Sequence, residues 1–154
     1  GRHKRILALQ QRGGNLWDIL PEACAVVTRV NTQKGVSSLL LANGETSLSH
    51  HNILPETAQL NPGDFVYTRS VLGRDVKHAR TIRKCNEPER SDHWKMFEGL
   101  FKPRKKGGGH VGDVFVAAYL TNGVRPSARV IGVAVKKRND TGDIWWTAVM
   151  ITQL

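Results

Sequence analysis

Short runs of β-branched and apolar residues alternate with turn-forming breaks between residues 23 and 84. Runs of this length, bounded by Gly, Pro and Asn, are typical of β-strands. Asn43-Gly44 separates the second and third runs and predicts a hairpin, because both residues accept a positive φ. The predicted strands are Cys24–Val30, Val36–Leu41, Glu45–Ser49, Asp64–Val71 and Lys77–Arg83.

One break in this pattern is much longer than the others. Residues Leu54–Gly63 contain two prolines and are too long for a hairpin turn. Five strands with one long connection after the third suit an oligonucleotide/oligosaccharide-binding (OB) barrel, whose closure removes the exposed edges of a small sheet. We therefore predict such a barrel for the first half of the chain.

The same region resembles the cold-shock domain family. Val26–Asn31 followed by Lys34-Gly35 is similar to the family's Val-rich first strand and its Lys-Gly turn. Leu48–Ile53 looks like the His-containing end of the third strand, and Leu60–Gly63 looks like the Leu-x-x-Gly entry to the fourth. This resemblance implies a barrel that binds single-stranded nucleic acid by stacking bases on aromatic side chains of strands two and three.

The first unit departs from the family where stacking is expected. It has Val36, Ser38, Ser47 and Ser49 where the resemblance places aromatics. Stacking contributes about 1–3 kcal/mol per base, so we expect this barrel to bind weakly or differently. Without aromatics there, the candidates for nucleic-acid binding in this unit are His50, Arg29 and its lysines, among them Lys34.

The pattern starts again at Trp94. Trp94–Phe101 predicts a strand, and Asp113–Val116 resembles the family's third strand with its aromatic, Phe115, retained. Ala128–Lys137 and Ile144–Ile151 predict a hairpin, whereas a second strand is barely visible behind three glycines. The predicted fold is therefore all-β, with two tandem five-stranded OB or cold-shock-like barrels and a short N-terminal helical tail.

This organisation divides the chain into a helical or extended segment 1–22, a first barrel 23–85, a linker 86–93 and a divergent second barrel 94–154. Arg2–Arg12, stopped by Gly13-Gly14, is typical of a helix end. It is either the tail of a preceding domain or a basic arm. Because the chain starts at Gly1 rather than Met, we expect it to be part of a larger protein with other domains.

Charge follows the same division. The 154-residue chain carries a formal charge of +10, distributed as +2 over residues 1–22, +4 over 23–85, −2 over 86–93 and +6 over 94–154. Both predicted barrels are basic and the linker is not. A positive balance on a small barrel is expected of a protein that binds the phosphate backbone.

The densest positive cluster precedes three glycines and His110. Flanking cations neutralise phosphates, and a Gly-rich loop allows backbone N–H groups to approach them. The segment lacks the spacing of a nucleotide-binding P-loop, and a solvated hairpin loop is the alternative interpretation. The cations of this cluster are Lys102, Arg104, Lys105 and Lys106.

Two further groups are candidates. The fifth predicted strand carries cations on both faces, so it is either a binding face or simply solvated. Phe115, Trp145 and Trp146 are aromatics of the second unit. Of the two adjacent tryptophans one should face solvent near Lys136 and Lys137, where it could stack on a base, or pack against the first barrel or a domain outside this chain instead. The fifth-strand cations are Lys77, Arg80, Arg83 and Lys84.

Catalysis is not predicted. The sequence has no matched carboxylate pair, no nucleophile with a base at recognisable spacing and no metal-binding spacing around His50-His51. We expect no cofactor. Cys24 and Cys85 are expected to be free thiols rather than a bridge, and with no membrane-spanning run or signal peptide the expected location is the cytoplasm.

The predicted function is therefore a nucleic-acid-binding module. Single-stranded or looped RNA is favoured over DNA, with contacts made mainly to phosphates. Two alternatives stay open: a protein-docking module of a larger assembly, and an accessory substrate-binding region of a nuclease.

Overall fold

The structure is a computed structural model that describes residues 19–154. Two closed five-stranded β-barrels make up this part of the chain, as the sequence predicts. The predicted helical tail lies outside the described residues. The first barrel contains β1 (Glu22–Asn31), β2 (Val36–Leu41), β3 (Thr46–His50), β4 (Phe65–Leu72) and β5 (Lys77–Lys84). The second contains β6 (Trp94–Pro103), β7 (Gly109–Val111), β8 (Val114–Val116), β9 (Arg129–Arg138) and β10 (Ile144–Gln153).

The two barrels share one connectivity. The strand order of the first is β1-β2-β3-β5-β4, closed by pairing of β1 with β4, and the second follows the same order with β6 to β10 in place of β1 to β5. In each barrel the third and fifth strands are parallel and all other neighbours are antiparallel. The long connection after β3 contains the predicted break and forms a 3-10 helix over Pro55–Gln59. This is the topology that the spacing of the first half predicts.

The inward and outward faces of β3 differ from the expectation. Ser47 and Ser49 are fully buried inside the first barrel, so they do not occupy the stacking positions assigned to them from the cold-shock resemblance. Leu48 pairs with Ser38 of β2 and faces outward with it. A shift of one residue along a strand exchanges its two faces, and that is the error here.

Besides the apolar core inside each barrel, a separate apolar cluster lies between the two barrels. Cys24 and Val26 on the outer face of the first barrel are buried against Trp94, Val133 and Val149 of the second. Trp94 also donates its indole N–H to the carbonyl of Glu89 at 3.0 Å, within the connecting segment. The two barrels therefore pack on each other through a buried core of their own.

The two cysteines belong to this inter-barrel region. Cys24 and Cys85 are free thiols and both are buried. Burial raises the pKa of the Cys24 thiol to about 11, so the thiol stays protonated at neutral pH. Within residues 19–154 no helix is both long and apolar enough to span a membrane.

Candidate nucleic-acid interface

Four outward side chains form a row across the second barrel. Lys102 of β6 pairs with His110 of β7, His110 pairs with Phe115 of β8, and Phe115 pairs with Thr147 of β10. Apolar neighbours of the row on the same strands, such as Phe101, Val114 and Ala148, are buried in the barrel core, so the row faces outward. The His110 and Phe115 rings meet edge to face with their centroids 5.7 Å apart. The row thus has a cation at one end and an aromatic pair at its centre.

The turn between β6 and β7 adds a second cation to this aromatic pair. The Arg104 guanidinium lies over the Phe115 ring, 5.5 Å from its centroid. The turn is closed by the Arg104 N–H donating to the Gly108 carbonyl at 2.9 Å, and by the Gly107 N–H donating to the Arg104 carbonyl at 3.1 Å. Lys105 and Lys106 are at its tip.

The structure explains why glycines stand in the β6–β7 turn. Gly108 has φ +67°, and a Cβ there would lie 2.5 Å from the carbonyl oxygen of Val116. Gly107 uses its own N–H inside the turn. The glycines therefore bring the turn close to β8, and the flanking side chains rather than the Gly107 N–H are left to contact a ligand.

The basic cluster consists of Lys102, Arg104, Lys105 and Lys106, and all four are exposed. Within residues 19–154 none of the four makes an ion pair. Four cations without an ion-pair partner in this part of the chain, at the end of β6 and in the turn after it, create a local positive potential. Phosphate is the ligand chemistry that such a cluster fits best.

The adjacent tryptophans face opposite ways. Trp145 is 40% exposed and pairs with Lys137 across the β9–β10 hairpin. Trp146 packs on the core of the second barrel, with the Lys95 and Lys136 ammonium groups 4.5 and 5.5 Å from the centroid of its ring. Trp145 is therefore the accessible aromatic, whereas Trp146 and Lys136 contact each other.

An equivalent row crosses the first barrel with different chemistry. Arg29 pairs with Ser38, Ser38 with Leu48, and Leu48 with His78, at the same strand positions as the row of the second barrel. The row contains no Phe, Tyr or Trp. Lys34 is exposed in the β1–β2 turn, where its backbone N–H donates to the side-chain oxygen of Asn31 at 3.0 Å.

Two of the fifth-strand cations are compensated by carboxylates. Lys77 pairs with Glu45 at 3.3 Å, and Arg83 makes two hydrogen bonds of 2.7 and 2.8 Å to Glu22. Hydrogen bonding to Arg83 lowers the pKa of Glu22, and the nearby charge of Arg69 acts in the same direction. Of the other two predicted cations, Arg80 is half-buried and Lys84 is exposed. The first barrel therefore offers less uncompensated charge at this strand than the sequence suggests.

Two residues near these surfaces were not assigned to the binding site from the sequence. Thr147 is half-buried and completes the row of the second barrel, a position that follows directly from strand alternation. Tyr119 is 73% exposed in a short 3-10 helix, beside Ala118, which lies against the β6–β7 turn at Gly107. An isolated Tyr outside the strands gives no periodic signal. A separate apolar groove of about 450 Å³ lies between β6 and β9, lined in part by Met96 and Ile131.

Comparison with models of known protein families gives no match, and comparison with curated proteins gives none either. Among the described residues no group of three or more His, Cys, Asp or Glu side chains is placed to hold a metal ion. The features of the described residues that bear on function are therefore the two outward rows and the cations beside them.

Proposed function

We propose that this chain binds single-stranded or looped nucleic acid, RNA in preference to DNA, on the outer face of the second barrel. The observation that carries the proposal is the row centred on His110 and Phe115, next to four exposed cations without acidic partners. OB barrels bind oligonucleotides on their second and third strands and the adjoining loops. In this barrel those elements are β7, β8 and the β6–β7 turn.

Stacking supplies the first part of the interaction. The Arg104 guanidinium lies over the Phe115 ring, and bases stack on both aromatic rings and guanidinium planes. Each stacked base is worth about 1–3 kcal/mol. Trp145 is a second exposed ring on the neighbouring strand β10, two residues before Thr147.

Phosphate contacts supply the second part. Lys105 and Lys106 at the tip of the turn, with Lys102 at the end of the row, can follow a strand that stacks on Phe115. The preference for RNA is supported by His110 and Thr147, whose polar groups flank the ring and can bond a 2′-hydroxyl. The proposal includes a cytoplasmic location, supported by two free, buried thiols.

The resemblance to cold-shock domains belongs to the same proposal. Its support is the OB connectivity of both barrels and the retained aromatic on β8. The first barrel has Leu48 at the equivalent position, so we assign it an auxiliary part in binding, through Arg29 and Lys34.

Salt titration tests the proposal. Fluorescently labelled single-stranded RNA and DNA of one sequence are titrated with the chain at several salt concentrations. We expect log K to fall linearly with log salt, by about 0.7 for each phosphate contact, with tighter binding of RNA. Absence of binding at low salt would contradict the proposal and favour the protein-docking alternative.

A further inference from the structure

Two histidines face each other on the outer face of the first barrel. Nε2 of His50, on β3, lies 3.0 Å from Nδ1 of His78, on β5. Their rings are stacked, with centroids 5.1 Å apart and an angle of 25° between their planes. Both side chains are half-buried. The distance matters because both nitrogens are potential metal ligands.

The spacing of the two nitrogens matches that of two ligands on one metal ion. Two imidazole nitrogens at about 2.0–2.1 Å from a metal, subtending about 90–109° at it, lie about 2.9–3.4 Å apart. The 3.0 Å separation of His50 Nε2 and His78 Nδ1 falls in this range. We propose that His50 and His78 form a binding site for Zn²⁺ or a similar transition-metal ion, with water in the remaining positions.

Metal binding at this pair needs a change of tautomer and a rotation of the rings. In the hydrogen bond one ring N–H donates to the other ring nitrogen, so the two nitrogens point at each other, and the rings must turn to direct both lone pairs at one ion beside the N–N line. With the metal in place, His50 carries its proton on Nδ1 and His78 carries its proton on Nε2, so both facing nitrogens offer a lone pair. Two neutral imidazoles therefore bind the ion without loss of a proton from the pair.

The β4–β5 turn restricts the His78 ring, and the neighbouring histidine, His51, is bound elsewhere. A Cβ at Gly73 would lie 2.5 Å from the His78 ring, so the β4–β5 turn packs directly on that ring. Nε2 of His51 is 2.8 Å from the Ser37 hydroxyl and so is engaged elsewhere. With two protein ligands, we expect an affinity well below that of a closed four-ligand zinc site.

The position of the pair gives the metal a structural effect. Strands β3 and β5 of the first barrel pair at two positions only, Ser47 with Lys77 and Leu48 with His78. Every other strand pair of this barrel has at least five. A metal bound by one residue from each strand would hold β3 and β5 together, and an ion that binds only the folded state raises its stability.

The experiment measures Zn²⁺ binding by calorimetry and by the midpoint of thermal unfolding, without nucleic acid and at a pH where imidazole is neutral. The variants are His50→Ala and His78→Ala, with His110→Ala on the second barrel as the matched control. We expect each of the first two to weaken Zn²⁺ binding at least about tenfold and to abolish the rise in midpoint. His110→Ala should retain the Zn²⁺ affinity and the rise in the midpoint of thermal unfolding.

A measurement on the unmodified chain covers the case in which either variant fails to fold. Histidine side-chain nitrogen resonances are recorded by NMR during the Zn²⁺ titration. We expect Nε2 of His50 and Nδ1 of His78 to shift together and to titrate with the calorimetric affinity. Unshifted resonances for this pair, or equal Zn²⁺ affinity of His50→Ala and the unmodified chain, would overturn the proposal.

Discussion

Leu48 of β3 and Phe115 of β8 occupy equivalent positions in the two barrels. Each pairs with a second-strand residue on one side and, in parallel register, with a fifth-strand residue on the other. One position is aliphatic and the other aromatic, on two barrels of identical connectivity. The pair is therefore the position at which the outer faces of the two barrels differ between an aromatic ring and an aliphatic side chain.

Exchanging these two residues tests the role of the ring. We expect Phe115→Leu to lose one stacked base, about 1–3 kcal/mol, or roughly fivefold to 150-fold in affinity for single-stranded RNA. Leu48→Phe is the matched control and should not weaken binding. Fluorescence anisotropy at fixed low salt measures both, and unchanged affinity of Phe115→Leu would show that the ring does not stack.

Two buried serines of the first barrel should respond oppositely to truncation. Ser37 donates to the carbonyl of Thr57 at 3.1 Å, whereas the buried Ser49 hydroxyl has no hydrogen-bond partner among residues 19–154. We expect Ser37→Ala to destabilise by about 1–2 kcal/mol and Ser49→Ala to be neutral or stabilising. Urea unfolding compares the two, and a larger loss for Ser49→Ala would refute this assignment.

Trp94 should couple the two barrels energetically. Its ring meets Phe65 of the first barrel edge to face, with centroids 5.3 Å apart, and it is 4% exposed. Trp94→Ala should cost about 3–5 kcal/mol and separate one calorimetric unfolding transition into two. Trp145→Ala, which removes a more exposed ring, is the control. A single transition with unchanged stability in Trp94→Ala would contradict a shared core.

Glu22 should contribute to stability only where its carboxylate is ionised. Because Arg83 lowers its pKa below the usual 4.5, the contribution is present above that value and is lost as pH falls through the lowered pKa. We expect Glu22→Gln to cost about 0.2–1 kcal/mol at neutral pH and nothing in strong acid. Glu98→Gln should have a smaller effect, because the Glu98 side chain is 50% exposed against 20% for Glu22 and its partner Arg129 is 3.4 Å away. If Glu22→Gln is still less stable than the unmodified chain in strong acid, the effect would come from packing and not from the charge of the carboxylate.

Turn chemistry explains why the strands of the first barrel could be predicted. The predicted strands agree with the structure to within two residues at every end, because Asn, Gly and Pro mark the breaks between apolar runs. The second strand of the second barrel was barely detectable in the sequence, because β7 has only three residues, Gly109–Val111, directly after the glycines of its turn. A strand that short has no periodicity to detect.

The inward and outward faces of β3 and the core between the barrels were harder to predict from the sequence. Thr46–His50 reverses the usual pattern, since its serines point inward and Leu48 points outward, so polarity alone misassigns the two faces. The sequence contains one pattern that indicates a core between the barrels. Cys24–Val27 is a continuous apolar run, and residues on both of its faces are buried. Contacts such as Arg104 with Phe115 depend on tertiary structure that local sequence does not specify.

The most direct test of the central claim compares two neutralised clusters. Lys102, Arg104, Lys105 and Lys106 are changed together to Gln in one variant, and Lys77, Arg80, Arg83 and Lys84 in the other. Affinity for single-stranded RNA is then measured for both variants, after circular dichroism has shown that each is folded. We predict the larger loss, and the larger reduction in salt dependence, for the second-barrel cluster, because Lys77 and Arg83 of the other cluster are already paired with carboxylates. Equal losses, or a larger loss for the first-barrel cluster, would contradict binding on the second barrel.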